Sequence, residues 1–136
     1  LVQNYFEQYL GQFLAQVFDK INENFIRCSF YELVSRYLSS CYTFAIEQNN
    51  SAGRSDFEMA GIPGTDYYTD DRVVEFKYYR GKDAERMLSL SEPLPEHVEQ
   101  VKGYAEDTKR KFPNYNVRTY VVYICSNKGW KCWEVY

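Results

Sequence analysis

Two stretches decide the fold that this chain predicts: Ser51-Ala-Gly-Arg-Ser-Asp56 and, after sixteen intervening residues, Val73-Val-Glu-Phe-Lys77. Side chains alternate between the two faces of a strand, so Glu75 and Lys77 are expected to point the same way. The segment between them, Gly61-Ile-Pro-Gly-Thr-Asp-Tyr-Tyr-Thr-Asp70, is rich in turn residues. The sequence therefore predicts two neighbouring strands, with a carboxylate on the first and a carboxylate and an amine on the second.

The two strands are predicted to pair as an antiparallel hairpin over about 54–60 and 71–79. If the hairpin is centred at 65–66, Asp56 lies directly opposite Glu75. Like charges opposed on a sheet are destabilising, and a hard divalent cation between two carboxylates removes that repulsion. The pairing therefore predicts a Mg²⁺ or Mn²⁺ site of the kind that metal-dependent phosphodiesterases use. The alternative interpretation is a solvated strand face that carries a salt bridge.

The rest of the chain predicts helices and further strands around this hairpin. Apolar residues at helical spacing indicate an N-terminal helix over 2–19 and a second helix over 22–40, for which Asn22 is the expected N-cap. Further predicted elements are a strand at 42–48, a helical turn at 83–88, a helix at 96–112, and strands at 117–124 and 130–135. The order ααβββαββ predicts an α/β or α+β fold with a central mixed sheet flanked by helices.

Length and composition predict one domain over residues 1–136, because 136 residues with 45% hydrophobic side chains are enough for a single core. No apolar run is long enough to span a membrane, and the first residues do not resemble a signal peptide. We therefore expect no membrane contact and a cytoplasmic location. The chain opens in a helical pattern without an initiator Met, which predicts a C-terminal fragment of a longer polypeptide with 1–21 as a connecting element.

Charge and cysteine usage exclude two further classes of site. The net charge of −3 argues against tight, autonomous DNA binding, although not against a metal-bridged active site. The four cysteines have no C-x-x-C spacing and the chain has a single histidine, so a zinc site is not expected. That histidine, His97, falls in the first turn of a predicted helix and is expected to be exposed.

Three short motifs, in this order, resemble the PD-(D/E)XK nuclease superfamily: Gly53-Arg-Ser-Asp56, Val74-Glu-Phe-Lys77 and Gln100-Val-Lys-Gly-Tyr104. The third matches the Q-x-x-x-Y signature of the RecB-like branch. The three motifs and the elements that carry them, over residues 22–124, are together similar to the nuclease-like domain at the C-terminus of bacterial AAA-ATPase-type proteins. The resemblance implies a restriction-endonuclease-like core and a metal-dependent nuclease. Its implied partners are DNA, with RNA as the alternative, and an upstream ATPase domain of the same polypeptide.

The resemblance also implies the roles of individual residues. Asp56 and Glu75 would hold Mg²⁺ or Mn²⁺, with the main-chain carbonyl of Phe76 as a third ligand. Lys77 would orient the attacking water or stabilise the charge that develops on the phosphate. The proline that usually leads the first motif is replaced here by Ser55.

A helix carboxylate usually completes a site of this family, and three candidates remain open. Glu23, at the start of the second predicted helix, is the best match to the family pattern. Glu32 on the same helix is the competitor, and Glu47 on the first strand is the third possibility.

The third motif and two cations complete the predicted site. Gln100 and Tyr104 are four residues apart and share one face of a helix, from which the family resemblance directs them at the active site. The simpler interpretation is an exposed glutamine and a tyrosine packed on the sheet. Arg54 is expected to share the face of Asp56 and is a candidate phosphate contact, with an ion pair to a nearby carboxylate as the alternative. Lys102 is a candidate for the nucleic-acid path, although a solvated cation toward the helix end, where it complements the helix dipole, is the favoured interpretation.

Two other functions remain open on the sequence. The acidic net charge and the unassigned helix carboxylate also fit a catalytically inactive nucleic-acid-binding or regulatory module of the same fold, attached to an ATPase. A protein-interaction domain with an accidental motif is the third reading. In that case Asp56 and Glu75 should not converge.

Overall fold

The fold is taken from a computed structural model that describes residues 23–50, 53–126 and 128–135. At 23–27, 29, 45–50 and 53–56 the backbone alone is described. The predicted N-terminal helix, the proposed cap Asn22 and the connecting element at 1–21 lie outside the described residues.

In the described part of the chain, one helix precedes three strands, and two helices separate these from two final strands. The helices are α1 (Glu23–Leu38), α2 (Gly81–Leu88) and α3 (Pro95–Lys111). The strands are β1 (Tyr42–Asn50), β2 (Gly53–Gly61), β3 (Asp70–Tyr79), β4 (Asn116–Cys125) and β5 (Gly129–Glu134). The strands and the longer helices thus lie where the sequence predicts them.

The described strands form one mixed sheet in the order β1-β2-β3-β4-β5. The pairs β1–β2, β2–β3 and β4–β5 are antiparallel, whereas β3 and β4 are parallel. A parallel pair needs a crossover connection, and α2 and α3 supply it. The mixed sheet with helices confirms the predicted α+β, restriction-endonuclease-like fold.

Helix α1 covers one face of the sheet. Phe30 and Val34 are buried and pack against Phe57 and Phe76, which are 0% and 1% exposed. The ring of Phe30 meets those of Phe57 and Phe76 edge-on, with centroids 5.1 and 5.6 Å away. Such pairs add to the free energy gained by burying the rings. This face of the sheet therefore has an apolar core under α1, with the ion pair of Arg72 and Asp70 at the start of β3.

Helices α2 and α3 cover the opposite face. Their buried residues pack on β3 and β4 in a second core cluster, with Val101 of α3 against Val73 and Val121. Helix α3 begins with a proline at its first positions, where the missing N–H is not needed, and ends with a basic last turn that complements the helix dipole. This second face also carries Glu75 and Lys77 of the predicted site.

The segment after β3 differs from the expectation. The sequence predicts only a helical turn at 83–88, but the structure has a two-turn helix, α2, with Ala84 and Met87 buried. These two side chains lie three residues apart on one helix face, and the sheet beneath supplies their partners. Burial against the sheet explains why so short a helix forms.

Candidate active site

An ion pair lies on β3 under the helices of the second face. The Nζ of Lys77 is 2.8 Å from Oε1 of Glu75, and the two side chains are 21% and 2% exposed. Residues two apart on a strand share a face, so the pair follows from the sequence pattern. The burial of Glu75 excludes the solvated strand face as its interpretation. A buried carboxylate is costly unless it is paired.

The hairpin register brings the backbone of Asp56 next to this pair. Strand β2 pairs with β3 from Phe57 opposite Val74 to Ala60 opposite Asp71. This is the predicted register, and its continuation by one residue sets Asp56 opposite Glu75. Because Phe57 belongs to the α1 face, alternation assigns the position of Asp56 to the face of Glu75.

The same argument locates Glu47, the third candidate for the remaining carboxylate. Strand β1 pairs Ile46 with Phe57 and Gln48 with Ser55, which brackets Glu47 opposite Asp56. The backbone positions of three acidic residues therefore form a row across β1, β2 and β3, at Glu47, Asp56 and Glu75.

The other two carboxylate candidates belong to α1. For Glu23 the structure describes only the backbone, at the first residue of that helix. Glu32 has a 72% exposed side chain that forms a 2.7 Å ion pair with Arg36. Since α1 packs on the face opposite to Glu75, Glu32 is the least favourable of the three.

The third motif lies on α3 above the ion pair. Gln100 donates from Nε2 to the hydroxyl of Tyr104 over 2.8 Å. Tyr104 is 2% exposed and belongs to the cluster that contains Val121, which is the β4 neighbour of Glu75. The two residues therefore interact as a unit, and the tyrosine packs on the sheet close to the predicted site.

For three further residues of the predicted site the structure gives a position in the sheet or on α3. Arg54 lies in β2 opposite Asn49, and the structure describes its backbone alone. Phe76 is a core residue whose backbone lies opposite Val122 of β4. Lys102 is half-exposed on α3, one residue beyond the buried Val101.

His97 departs from the sequence expectation. It is half-buried rather than exposed, and its Nδ1 lies 2.5 Å from the hydroxyl of Tyr123. Tyr123 is fully buried, and its backbone lies opposite Lys77. Burial, followed by the positive charge of Lys77, lowers the pKa of His97. The separation of 26 residues between His97 and Tyr123 gave no sequence signal for this contact.

A second acidic pair lies further along the same face and was also missed. Asp71 is 2% exposed and hydrogen-bonds to Glu58. Burial, and then the charge of Glu58, raises the pKa of Asp71 to about 8. Burial also raises the pKa of Glu58. Asp71 therefore keeps its proton at neutral pH and donates it to Glu58.

The donor chemistry of the acidic row fits a hard divalent cation, which prefers carboxylate and carbonyl oxygens. Glu75 provides one carboxylate, and the register provides the positions of Asp56 and Glu47 next to it. Among the side chains that the structure describes, no group of three or more His, Cys, Asp or Glu residues could hold a metal ion. The side chains of Asp56 and Glu47 lie outside those described.

A mixed sheet with helices on both faces and an acid–lysine pair on β3 defines the restriction-endonuclease-like class. A family model of the PD-(D/E)XK nuclease superfamily matches residues 21–134. The chain therefore belongs to the PD-(D/E)XK nuclease superfamily. Nucleases of this superfamily generally use divalent metals, and membership implies a nucleic-acid substrate.

Two further comparisons found no match, either among curated proteins or among solved structures. Among the described helices, none is both long enough and apolar enough to cross a membrane.

Proposed function

We propose that this domain is a divalent-metal-dependent nuclease that hydrolyses phosphodiester bonds of DNA. One observation carries the proposal, the buried Glu75 carboxylate held 2.8 Å from the Lys77 ammonium, on the strand that follows Asp56. Replacing a buried ion pair by apolar residues is often neutral or stabilising, so stability alone is a weak reason for this pair. A metal-dependent phosphoryl-transfer site needs a carboxylate to hold the metal and a cation near the phosphate, and Glu75 and Lys77 would supply them.

The metal ligands in this proposal are Asp56, Glu75 and the main-chain carbonyl of Phe76. The bound Mg²⁺ or Mn²⁺ would neutralise charge on the scissile phosphate and favour ionisation of the attacking water. Glu47 is our first choice for the remaining carboxylate, because the register supports a position opposite Asp56. Glu23 is the second choice.

Lys77 acts on the phosphate in this proposal. Its side chain is 21% exposed, so solvent reaches part of it, while its ammonium stays 2.8 Å from Glu75. Water attacks phosphorus, the bond to the leaving oxygen breaks, and the products are a phosphate monoester and a free hydroxyl. Negative charge grows on the phosphoryl oxygens along this path, and a fixed ammonium stabilises it most where water is excluded.

The remaining assignments extend the same site. Gln100 and Tyr104, joined by their hydrogen bond, would contact the attacking water or the substrate backbone as in the RecB-like branch. Arg54 and Lys102 would contact phosphates of the bound strand. The resemblance further supports a C-terminal module of a cytoplasmic, AAA-ATPase-type polypeptide, with residues 1–21 as the connection to the ATPase domain.

A cleavage assay tests the proposal. Supercoiled, linear and single-stranded DNA, and single-stranded RNA, are incubated with Mg²⁺ or Mn²⁺ and wild-type protein, Lys77→Ala or Lys128→Ala. Lys128 forms an ion pair with Glu85 on the surface, so its variant is a matched control for the loss of a lysine. We expect cutting that needs the metal, falls by about a hundredfold or more in Lys77→Ala, and persists in Lys128→Ala. Equal cutting by all three proteins would contradict the proposal.

The ligand assignment has its own matched pair, Glu47→Gln and Glu32→Gln. Both changes remove one negative charge and keep the side-chain shape. Mn²⁺ affinity, measured by calorimetry, should fall in Glu47→Gln and stay unchanged in Glu32→Gln. The reverse result would assign the remaining ligand to α1.

The second candidate function is a catalytically inactive nucleic-acid-binding or regulatory module of the same fold. The net charge of −3 favours it, because a domain that holds nucleic acid by its phosphates is usually basic. It predicts folded wild-type protein that binds an oligonucleotide but cuts none of the substrates with either metal.

A further inference from the structure

His97 is the centre of a polar network at the start of α3. Its Nδ1 lies 2.5 Å from the hydroxyl of Tyr123, and the two rings meet edge-to-face with centroids 5.4 Å apart. The backbone N–H of Leu94, the N-cap of α3, donates to the same hydroxyl over 2.8 Å. Tyr123 thus joins the first turn of α3 to the middle of the sheet.

The network selects one tautomer of the imidazole. The oxygen of Tyr123 accepts from the Leu94 N–H, and burial raises the pKa of Tyr123, so the hydroxyl keeps its hydrogen at neutral pH. The single hydrogen of Tyr123 is then available for Nδ1 of His97, which accepts it. The ring proton of a neutral His97 therefore sits on Nε2, at the edge directed away from Tyr123.

Lys77 is the neighbour of this network on the sheet. Its backbone lies opposite Tyr123 in the parallel β3–β4 pairing, and its charge acts on both Tyr123 and His97. The second charge that acts on the imidazole is the carboxylate of Glu96. The half-buried ring is thus within electrostatic reach of the ammonium that the proposed mechanism uses.

His97 also extends the stripe of polar residues on α3. It precedes Gln100 by three residues and Tyr104 by seven, so all three share one face of the helix. Tyr104 is at the buried end of this stripe and His97 at the end nearer solvent.

We propose that His97 contacts the substrate, its Nε2–H donating a hydrogen bond to a phosphate oxygen of the nucleic-acid backbone next to Lys77. This assignment rests on the nucleic-acid substrate of the proposed function. A neutral donor held by Tyr123 adds a directed hydrogen bond to the phosphate without a second positive charge beside Lys77. A purely structural histidine would hold α3 against β4 through Tyr123 and make no contact with the substrate.

Because the chain contains a single histidine, selective ¹⁵N labelling gives the resonances of His97 alone. We expect an unprotonated Nδ1 and a protonated Nε2 in the free wild-type protein without divalent metal. Titration with a short single-stranded DNA should shift the Nε2 resonance. The opposite tautomer, or an unchanged Nε2 resonance while fluorescence anisotropy reports bound DNA, would overturn the assignment. Absence of any DNA binding would overturn it as well.

Two amide variants separate the substrate contact from the structural one. In His97→Asn the amide takes the place of Nδ1 and keeps the contact with Tyr123, whereas in His97→Gln it reaches the place of Nε2 and keeps the donor. We expect kcat/KM to fall by about tenfold in His97→Asn and by less in His97→Gln. Equal losses, or a larger loss in His97→Gln, would indicate a structural role and overturn the proposal.

The two proposals fail in different ways. If the wild type cuts DNA and both His97 variants match it, only the His97 assignment fails. If the wild type binds DNA with an Nε2 shift but cuts nothing, the His97 contact stands and the nuclease proposal fails. If the protein neither binds nor cuts, both fail.

Discussion

The ammonium of Lys77 lies 2.8 Å from the carboxylate of Glu75, whose side chain is only 2% exposed. Removing one partner of a buried ion pair is far more destabilising than the net contribution of the pair, because it leaves a charge in a poor solvent. We therefore predict that Lys77→Ala lowers the free energy of unfolding by about 3–5 kcal/mol. Urea denaturation without metal measures it.

The double variant Glu75→Gln/Lys77→Met is the control for this effect. It removes both charges, so we expect it to be more stable than Lys77→Ala and as inactive. If the single variant is as stable as the wild type, the ion pair is not buried in solution.

Divalent metal should stabilise the wild type. A ligand that binds only the native state raises the stability by mass action, so the melting temperature should rise with Mg²⁺ or Mn²⁺ concentration. The rise should vanish in Glu75→Gln, which removes a ligand charge, and persist in the surface variant Asp83→Asn, since the side chain of Asp83 is 67% exposed. Equal shifts in both variants would assign the metal to another part of the protein.

Gln100 and Tyr104 should behave as one unit because they share a 2.8 Å hydrogen bond. We predict that Gln100→Ala and Tyr104→Phe each lower the free energy of unfolding by about 1 kcal/mol. The double variant should lose less free energy of unfolding than the sum of the two single variants, since either change already removes the hydrogen bond. Additive losses in denaturant midpoints would show that the two side chains act independently.

Asp71 predicts a pH dependence of stability. Burial and the charge of Glu58 raise the pKa of Asp71 to about 8, whereas an unfolded aspartate titrates near pH ~3.9. Between these values the native state holds a proton that the unfolded state has lost, so stability falls as the pH rises. The contribution is fully present below about pH 4 and lost by about pH 8.

The variant Asp71→Asn removes this titration and keeps a donor toward Glu58. Denaturation at several pH values should therefore give a flatter profile than the wild type and a higher stability at about pH 8. Asp83→Asn, with its exposed side chain, should retain the wild-type slope. An unchanged slope in Asp71→Asn would show that Asp71 is ionised in the native state.

Gly61 and Gly64 provide a matched test of close packing in the hairpin. A Cβ at Gly61 would lie 1.5 Å from the carbonyl oxygen of Tyr67, which is backbone and must move, whereas a Cβ at Gly64 meets nothing within 4 Å. Gly64 has a φ of +90°, so alanine there adds only strain, about 1–2 kcal/mol. We predict that Gly61→Ala is clearly the more destabilising in urea. Equal losses would contradict the described turn.

The sequence predicted the fold well because its signals are local. Alternation on β3 put Glu75 and Lys77 on one face, and the turn residues at 61–70 centred the hairpin, so the β2–β3 register was correct. Helix α2 was only partly predicted, because its formation depends on burial of Ala84 and Met87 against the sheet. Its own sequence contains too few turns for a stable helix.

For the site, the sequence by itself determined which residue types could carry the chemistry and which of them share a strand or helix face. Only the tertiary structure decided which are buried and which meet across the fold. The burial of Glu75, the contact of His97 with Tyr123 and the shared proton of Asp71 and Glu58 all depend on how α2 and α3 cover the sheet. The spacing of residues along a strand or helix determines which face their side chains occupy. The local dielectric environment and the contacts between distant residues are determined only when the helices pack on the sheet.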